Sequence, residues 1–306
     1  MGAQTNPRPA GRWGVVMIGV VGALAIAGPV VLHFGQKRHD VLAFDVATLF
    51  PADKAIVEGE VFADTVIAIM QHELDGVTGW RPNDFVLWGP ELWADNNANR
   101  QLGIIQAVRE SVRVFKDHLT KVSSNEYDAN LVAADLAFRN DAEKLWLPSA
   151  ESKIREGIRH LHAYVDGLKT SPPQSKPINQ RNIELIRLFQ AWGDLLGDAH
   201  AKLYREPESI WRTDDDFYHA QGFAHAMRYL VQAVGREYQH GFDTKPVMRT
   251  LFDEVAAALG DAAKLKPLIV LDGRPDGLFA NHRRNLDAYI TEARQKMYSI
   301  REELEK

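Results

Sequence analysis

The chain contains no cysteine. Disulfides and thiolate nucleophiles are therefore excluded, and a domain of this length does not need crosslinks to fold. It also has no Gly-x-Ser-x-Gly elbow, no Gly-x-x-x-x-Gly-Lys loop and no Gly-x-Gly-x-x-Gly turn. Acyl transfer from a serine elbow and nucleotide binding by the common glycine loops thus have no support. Alternating apolar and polar positions, the mark of half-buried strands, are nearly missing. The one strand-like run, Pro267-Leu268-Ile269-Val270-Leu271, reads more readily as an extended segment lying across helices. No two of the 11 histidines stand three or four residues apart, so the paired-histidine spacing of helical metal sites is missing.

Isolated acid and histidine pairs do occur at helical spacing: Asp215 with His219, Glu156 with His160, and Glu237-x-x-His240. Helical di-metal centres need two Glu-x-x-His motifs and two further glutamates. No metal or other cofactor is expected, and no catalytic residue is assigned.

Long uncharged runs are equally scarce. Only Trp13–Phe34 qualifies, 22 residues reading WGVVMIGVVGALAIAGPVVLHF. A bilayer core takes about 20 residues of helix, and Trp13 sits at one edge, where indoles favour the headgroup layer. The rival reading is a cleaved secretory signal, with Ala25-Ile26-Ala27 as the cleavage site. The apolar run continues past that triplet through Pro29, Val30, Val31 and Leu32, which favours an uncleaved anchor. The expected order is a short cytoplasmic N-terminus over 1–12, an anchor over 13–34 that contacts the lipid bilayer, and an aqueous body. Arg8 and Arg12 on one side against Lys37, Arg38 and Asp40 on the other give only a slight bias toward N-terminus inside. The expected location is a bacterial inner membrane, single-pass, with the bulk of the chain periplasmic.

Beyond the anchor the chain is acidic. Setting aside Arg8, Arg12, Lys37, Arg38 and Asp40 leaves 32 basic and 40 acidic residues, a net charge of −8. Such a surface repels phosphate backbones, so nucleic acid is not an expected partner.

Helical spacing runs through nearly all of this part. Leu185, Phe189, Trp192, Leu196, Ala199 and Leu203 step by four and three. Similar seams are Val108–Val122, Ile154–Leu168, Phe217–Tyr238 and Ala293–Leu304. The spacing predicts helices near 52–75, 98–122, 127–145, 149–169, 178–205, 213–240, 246–263 and 279–304. Thr213 with Asp216 resembles a capping box, and Pro246 suits a first helical position. The fold class is all-α: a single N-terminal transmembrane helix, then an antiparallel helical bundle of about eight helices. The stretch Thr170–Pro177 (TSPPQSKP) cannot continue a helix. It separates a first half, 41–169, from a second half, 178–306; two bundles or one bundle folded back both fit.

The segment Gly76–Asn97 (GVTGWRPNDFVLWGPELWADNN) breaks the pattern and holds three of the seven tryptophans. Loops this long in compact domains are often functional. Its candidate ligand or partner surface comprises Trp80, Asn83, Asp84, Trp88, Trp93, Asp95, Asn96, Asn99 and Gln101. A lid over one end of the bundle and an aromatic contact with the bilayer are the other readings. A ligand site requires Asp84, Asp95 and Gln101 to converge on a pocket. If these side chains only cap neighbouring helix ends, the lid reading stands.

Several of these residues carry a resemblance. Trp80-Arg81-Pro82-Asn83-Asp84 with Asp95-Asn96-x-x-Asn99-x-Gln101-Leu102-Gly103 resembles a motif of a bacterial family, domain of unknown function 2333. Ser123-Ser124 with Asp128 and Leu131, Trp146-x-Pro148-Ser149-x-Glu151, and Asp216-Phe217-Tyr218 with Ala220-x-Gly222 are similar to it in the same order. The resemblance spans about Asp45 to the C-terminus. It implies a single N-terminal anchor and a helical domain, and brings no established activity. The expected function is a membrane-anchored scaffold or subunit of an envelope complex, with a protein partner. The alternative is a small-ligand binder or enzyme with its site in 76–103.

Overall fold

The structure, a computed structural model, describes residues 10–38, 44–76, 78–84, 95–120, 126–206, 213–242, 245–267, 269–273 and 279–306. Among them are ten α-helices and no β-strand. They are α1 (Ala10–Arg38), α2 (Val46–Leu49), α3 (Glu60–Asp75), α4 (Asp95–Val114), α5 (Ala129–Phe138), α6 (Ala150–Leu168), α7 (Asn182–Tyr204), α8 (Thr213–Glu237), α9 (Pro246–Lys264) and α10 (His282–Glu305).

The spaced apolar residues are what the helices bury. Every member of the α7 seam lies inside, as do Ile154 to Leu168 on α6 and Ala293 to Leu304 on α10. Local chemistry sets the ends. Ser149 caps α6 by accepting the Ser152 amide, Asp128 caps α5, and Pro246 opens α9. Buried apolar residues from both sides of Thr170–Pro177 belong to one core. Its axis is α8, which buries residues along nearly its whole length and lies against α3, α4 and α9.

Three predicted helix boundaries differ by seven residues or more. The helix expected from 52 begins at Glu60, because Gly59 has a φ of 102° and turns the chain. The tyrosine hydroxyl of Tyr164 occupies the place where a Cβ at Gly59 would stand. The helix expected to reach 145 stops at Phe138, where Arg109 takes the carbonyls of Phe138 and Asn140. The helix expected to reach 122 ends at Val114 and passes into one π-turn, Phe115–Leu119. Finally, Asp272 and Asn281 form an isolated antiparallel bridge beside the strand-like run.

The body has two distinct ends. At one, the start of α3 meets the end of α8, and Arg236 holds the carbonyls of Phe50, Pro51 and Lys54. At the other, the end of α3 meets the start of α4, the segment 78–84 and the chain leading into α6.

Within α1, side chains are described for residues 13–28 and for Val31. Its large apolar ones are 53% to 74% exposed. Among the described residues no helix is long and apolar enough to cross a membrane. The expected span 13–34 lies within α1, but its outer side chains fall outside the described residues.

Candidate functional site

The end of the body formed by α3, 78–84 and α4 carries most of the residues singled out in the sequence. Glu73 lies on the apolar face of α3, one turn after Met70, and is buried. Arg100 donates from Nη1 to both of its carboxylate oxygens at 3.1 Å. Gln101 donates to Glu73 Oε2 at 3.0 Å and to the Gly79 carbonyl at 2.9 Å, and accepts the Arg81 amide at 2.8 Å. One glutamine thus ties the end of α3 and the following segment to α4.

Neighbouring side chains extend this brace. The buried Trp80 indole donates to the Ala142 carbonyl at 2.9 Å. Asn83 donates to the Lys144 carbonyl at 3.2 Å and to Glu151 at 2.8 Å. Asn99 reaches Asp215 on α8 at 2.8 Å. Asp84 pairs with Arg81. Burial raises the Asp84 carboxyl above its usual range, the Arg81 charge opposing and Glu151 assisting. Trp80, Asn83 and Gln101 are therefore turned into the fold. Asn96 is half buried; Trp88, Trp93 and the side chain of Asp95 lie outside the described residues.

Behind the brace, α4 crosses α8 with backbone against backbone. A Cβ on Gly103 would overlap the His219 carbonyl, and one on Gly222 would overlap the Arg100 carbonyl. Only glycine on both helices permits this approach. Residues of the quoted motifs thus fasten neighbouring parts of the body: Gly103 and Gly222 set the α4–α8 crossing, Gln101 ties α3 and the segment 78–84 to α4, and Trp80 and Asn83 tie that segment to the chain leading into α6.

A family described as "Uncharacterized protein conserved in bacteria" (DUF2333) matches residues 12–205 and 197–306. The chain belongs to this family. No curated protein and no solved structure matches it.

Elsewhere this DUF2333 chain places titratable groups where burial decides their state. His219 is pulled down to about 4 by burial, with the nearby Lys202 assisting. His225 is held well below its ordinary value by burial and then by the Arg100 charge. Both rings are neutral at physiological pH. Glu156 pairs with Lys153 rather than with His160. Glu237 lies at the opposite end of the body, accepting the Gly59 and Phe62 amides at 3.0 Å each. It caps α3 from α8. Burial pushes its carboxyl up to about 7, outweighing those two amides. Among the described residues no group of three or more His, Asp or Glu side chains could hold a metal ion.

Open clefts are present on the described surface, two of them larger than the cleft beside Gly260. One, of about 380 Å³, lies between α2, the end of α8 and α9, with Val46, Phe50, Phe242 and Phe252 on its walls and Arg249 and Asp253 at its edge. The other, of about 410 Å³, lies beside the π-turn and is bordered by Asp117, His118, Tyr127, Glu184 and Arg187. Sequence reasoning missed the buried Glu73–Arg100 pair. Its signal was present: a glutamate one turn after Val66 and Met70 on an apolar face must find a cation or lose its charge.

Proposed function

We propose that this protein is a single-pass, membrane-anchored helical protein of the bacterial envelope, whose body acts as a scaffold or subunit of a membrane complex. Its anchor is α1, and its body lies outside the cytoplasm. The observation that carries this reading is the contrast between α1 and everything else. The body buries its apolar seams, whereas α1 leaves Val15, Ile18, Val21, Leu24 and Ile26 mostly exposed. Apolar area left in water costs about 25 cal/mol per Å², and lipid removes that cost. The uncharged run of 22 residues from Trp13 to Phe34 suits the roughly 20 residues of a bilayer core.

Support for a scaffold over a ligand site comes from the brace. Trp80, Asn83, Asn99 and Gln101 spend their polar groups on carbonyls and carboxylates of the same chain. Such residues stiffen a surface rather than wait for a ligand.

Two measurements test the proposal. The full chain should stay with membranes through alkaline carbonate washing, and a variant without residues 13–34 should be released. Release of the full chain by carbonate removes the anchor. Brief crosslinking followed by purification in mild detergent should then retain a partner at fixed stoichiometry. A protein that emerges alone removes the scaffold role.

A further inference from the structure

The chain between α5 and α6 carries four consecutive apolar residues, Leu145-Trp146-Leu147-Pro148, at a bend. Leu145 is 40% exposed, Trp146 76% and Leu147 95%. Contiguous exposed apolar side chains, unlike singly scattered ones, mark a candidate contact. Leu136, in the last turn of α5, is also exposed.

The residues around the tip are fully employed. Ser149 caps α6 and Glu151 accepts from Asn83. The Lys144 carbonyl accepts the Ala150 amide at 2.9 Å and Asn83 at 3.2 Å. The Ala142 carbonyl holds the Trp80 indole. The brace that fastens 78–84 thus also fastens the base of this tip. The tip projects outward from that base. Of the motif Trp146-x-Pro148-Ser149-x-Glu151, the fold gives work to Ser149 and Glu151 and none to the indole of Trp146.

We propose that the tip Leu145–Leu147 inserts into the interfacial layer of the bilayer, as a second attachment beside α1. Three features favour lipid over a protein. The area is small: a standard protein interface takes about 800 Å² from each partner, more than three side chains on a bend supply. The residues project from a bend, and a fluid interface needs no matching pocket. The composition is interfacial, an indole that settles at headgroup depth with leucines beside it and no charge to desolvate. Because the chain on both sides of the tip is already fastened to the fold, little freedom is lost on insertion.

The placement has a consequence. The chain enters the body at Phe44, near the end where Arg236 holds Phe50 to Lys54, whereas the tip lies at the other end. The 25 residues of α8 separate those ends by about 37 Å. Attachment at both ends lays the body along the membrane instead of upright on it. The proposal rests on the anchor reading for bringing the tip to the bilayer.

The absence of native cysteine allows a direct test. Leu147→Cys in the full chain is labelled with the fluorophore NBD and reconstituted in vesicles of phosphatidylethanolamine and phosphatidylglycerol. Ala257→Cys, on an exposed position of α9, serves as the control. The expected result is a blue shift at Leu147 with loss of emission to lipids carrying a headgroup-depth spin label, and little loss to aqueous iodide. The control should respond to iodide alone. Flotation of the vesicles is read in the same sample. Protein that floats while its Leu147 label responds only to iodide overturns the tip and leaves the anchor standing, with a protein partner as the remaining occupant. Protein that does not float overturns both.

Discussion

Gly103 and Gly222 show how a single atom can decide a helix junction. Each faces a carbonyl oxygen of the opposing helix, and backbone cannot yield as a side-chain tip can. Gly103→Ala should therefore destabilise the body by about 3 kcal/mol or more, at the upper end of overpacking effects, although alanine favours helices. Urea unfolding of Gly103→Ala beside an alanine substitution at exposed Gly241 would measure it; equal stabilities would disprove the close approach. Glu237 carries a pH dependence. Its folded carboxyl is raised to about 7, above the ordinary glutamate value of 4.5. A raised carboxyl binds its proton more tightly in the folded state. Its stabilising share is thus whole below about pH 4.5 and lost as pH rises through about 7, on the order of 3 kcal/mol in all. In Glu237→Gln that slope should vanish from unfolding curves taken between pH 4.5 and 8. An unchanged slope would assign the dependence to other groups. None of this was legible in the sequence, where Glu237 appeared only as half of a Glu-x-x-His spacing.

At the scale of elements, α3 is joined to α4 by the buried Glu73–Arg100 pair and by Gln101. Removing one partner of such a pair leaves a charge in a dry site and costs about 3–5 kcal/mol, whereas replacing both by apolar residues costs far less. Arg100→Met alone should lower stability by that amount, and Glu73→Met with Arg100→Met should recover much of it. A double-mutant cycle measured by chemical denaturation reads the difference. Additive losses would mean that the two side chains act independently. Helix spacing was readable because a seam of threes and fours repeats over many residues, as from Leu185 to Leu203. Boundaries such as Phe138 were not, because they depend on Arg109, some 30 residues away, reaching the terminal carbonyls. The same holds for Asp215 and Asp216. They read as first-turn caps of α8, yet they bind Asn99 and Arg283 across helices.

For the whole molecule, the proline-rich stretch Thr170–Pro177 marks a break in the chain but not in the core. Tyr164 before it donates to the Lys176 carbonyl, and Asn179 after it donates to the Leu119 carbonyl. Apolar residues from both halves are buried together. The body should therefore unfold in one cooperative transition. Calorimetry in mild detergent should give matching calorimetric and van't Hoff enthalpies. Two resolved transitions would indicate separable halves.

The sequence by itself determined that the chain is helical, which faces of its helices turn inward, and that its only long uncharged run is the one in α1. Those properties are local, because periodicity and charge need only near neighbours to be read. The tertiary structure decided what the unusual residues do. Trp80, Asn83 and Gln101 sit in a stretch that reads as a binding loop, yet their partners are carbonyls and carboxylates as distant in sequence as Ala142 and Glu151. Trp146, which the sequence offered only as part of a family motif, is left mostly exposed. Whether a polar or aromatic side chain is used up or available depends on which distant groups the fold brings within about 3 Å of it, and no local pattern contains that distance.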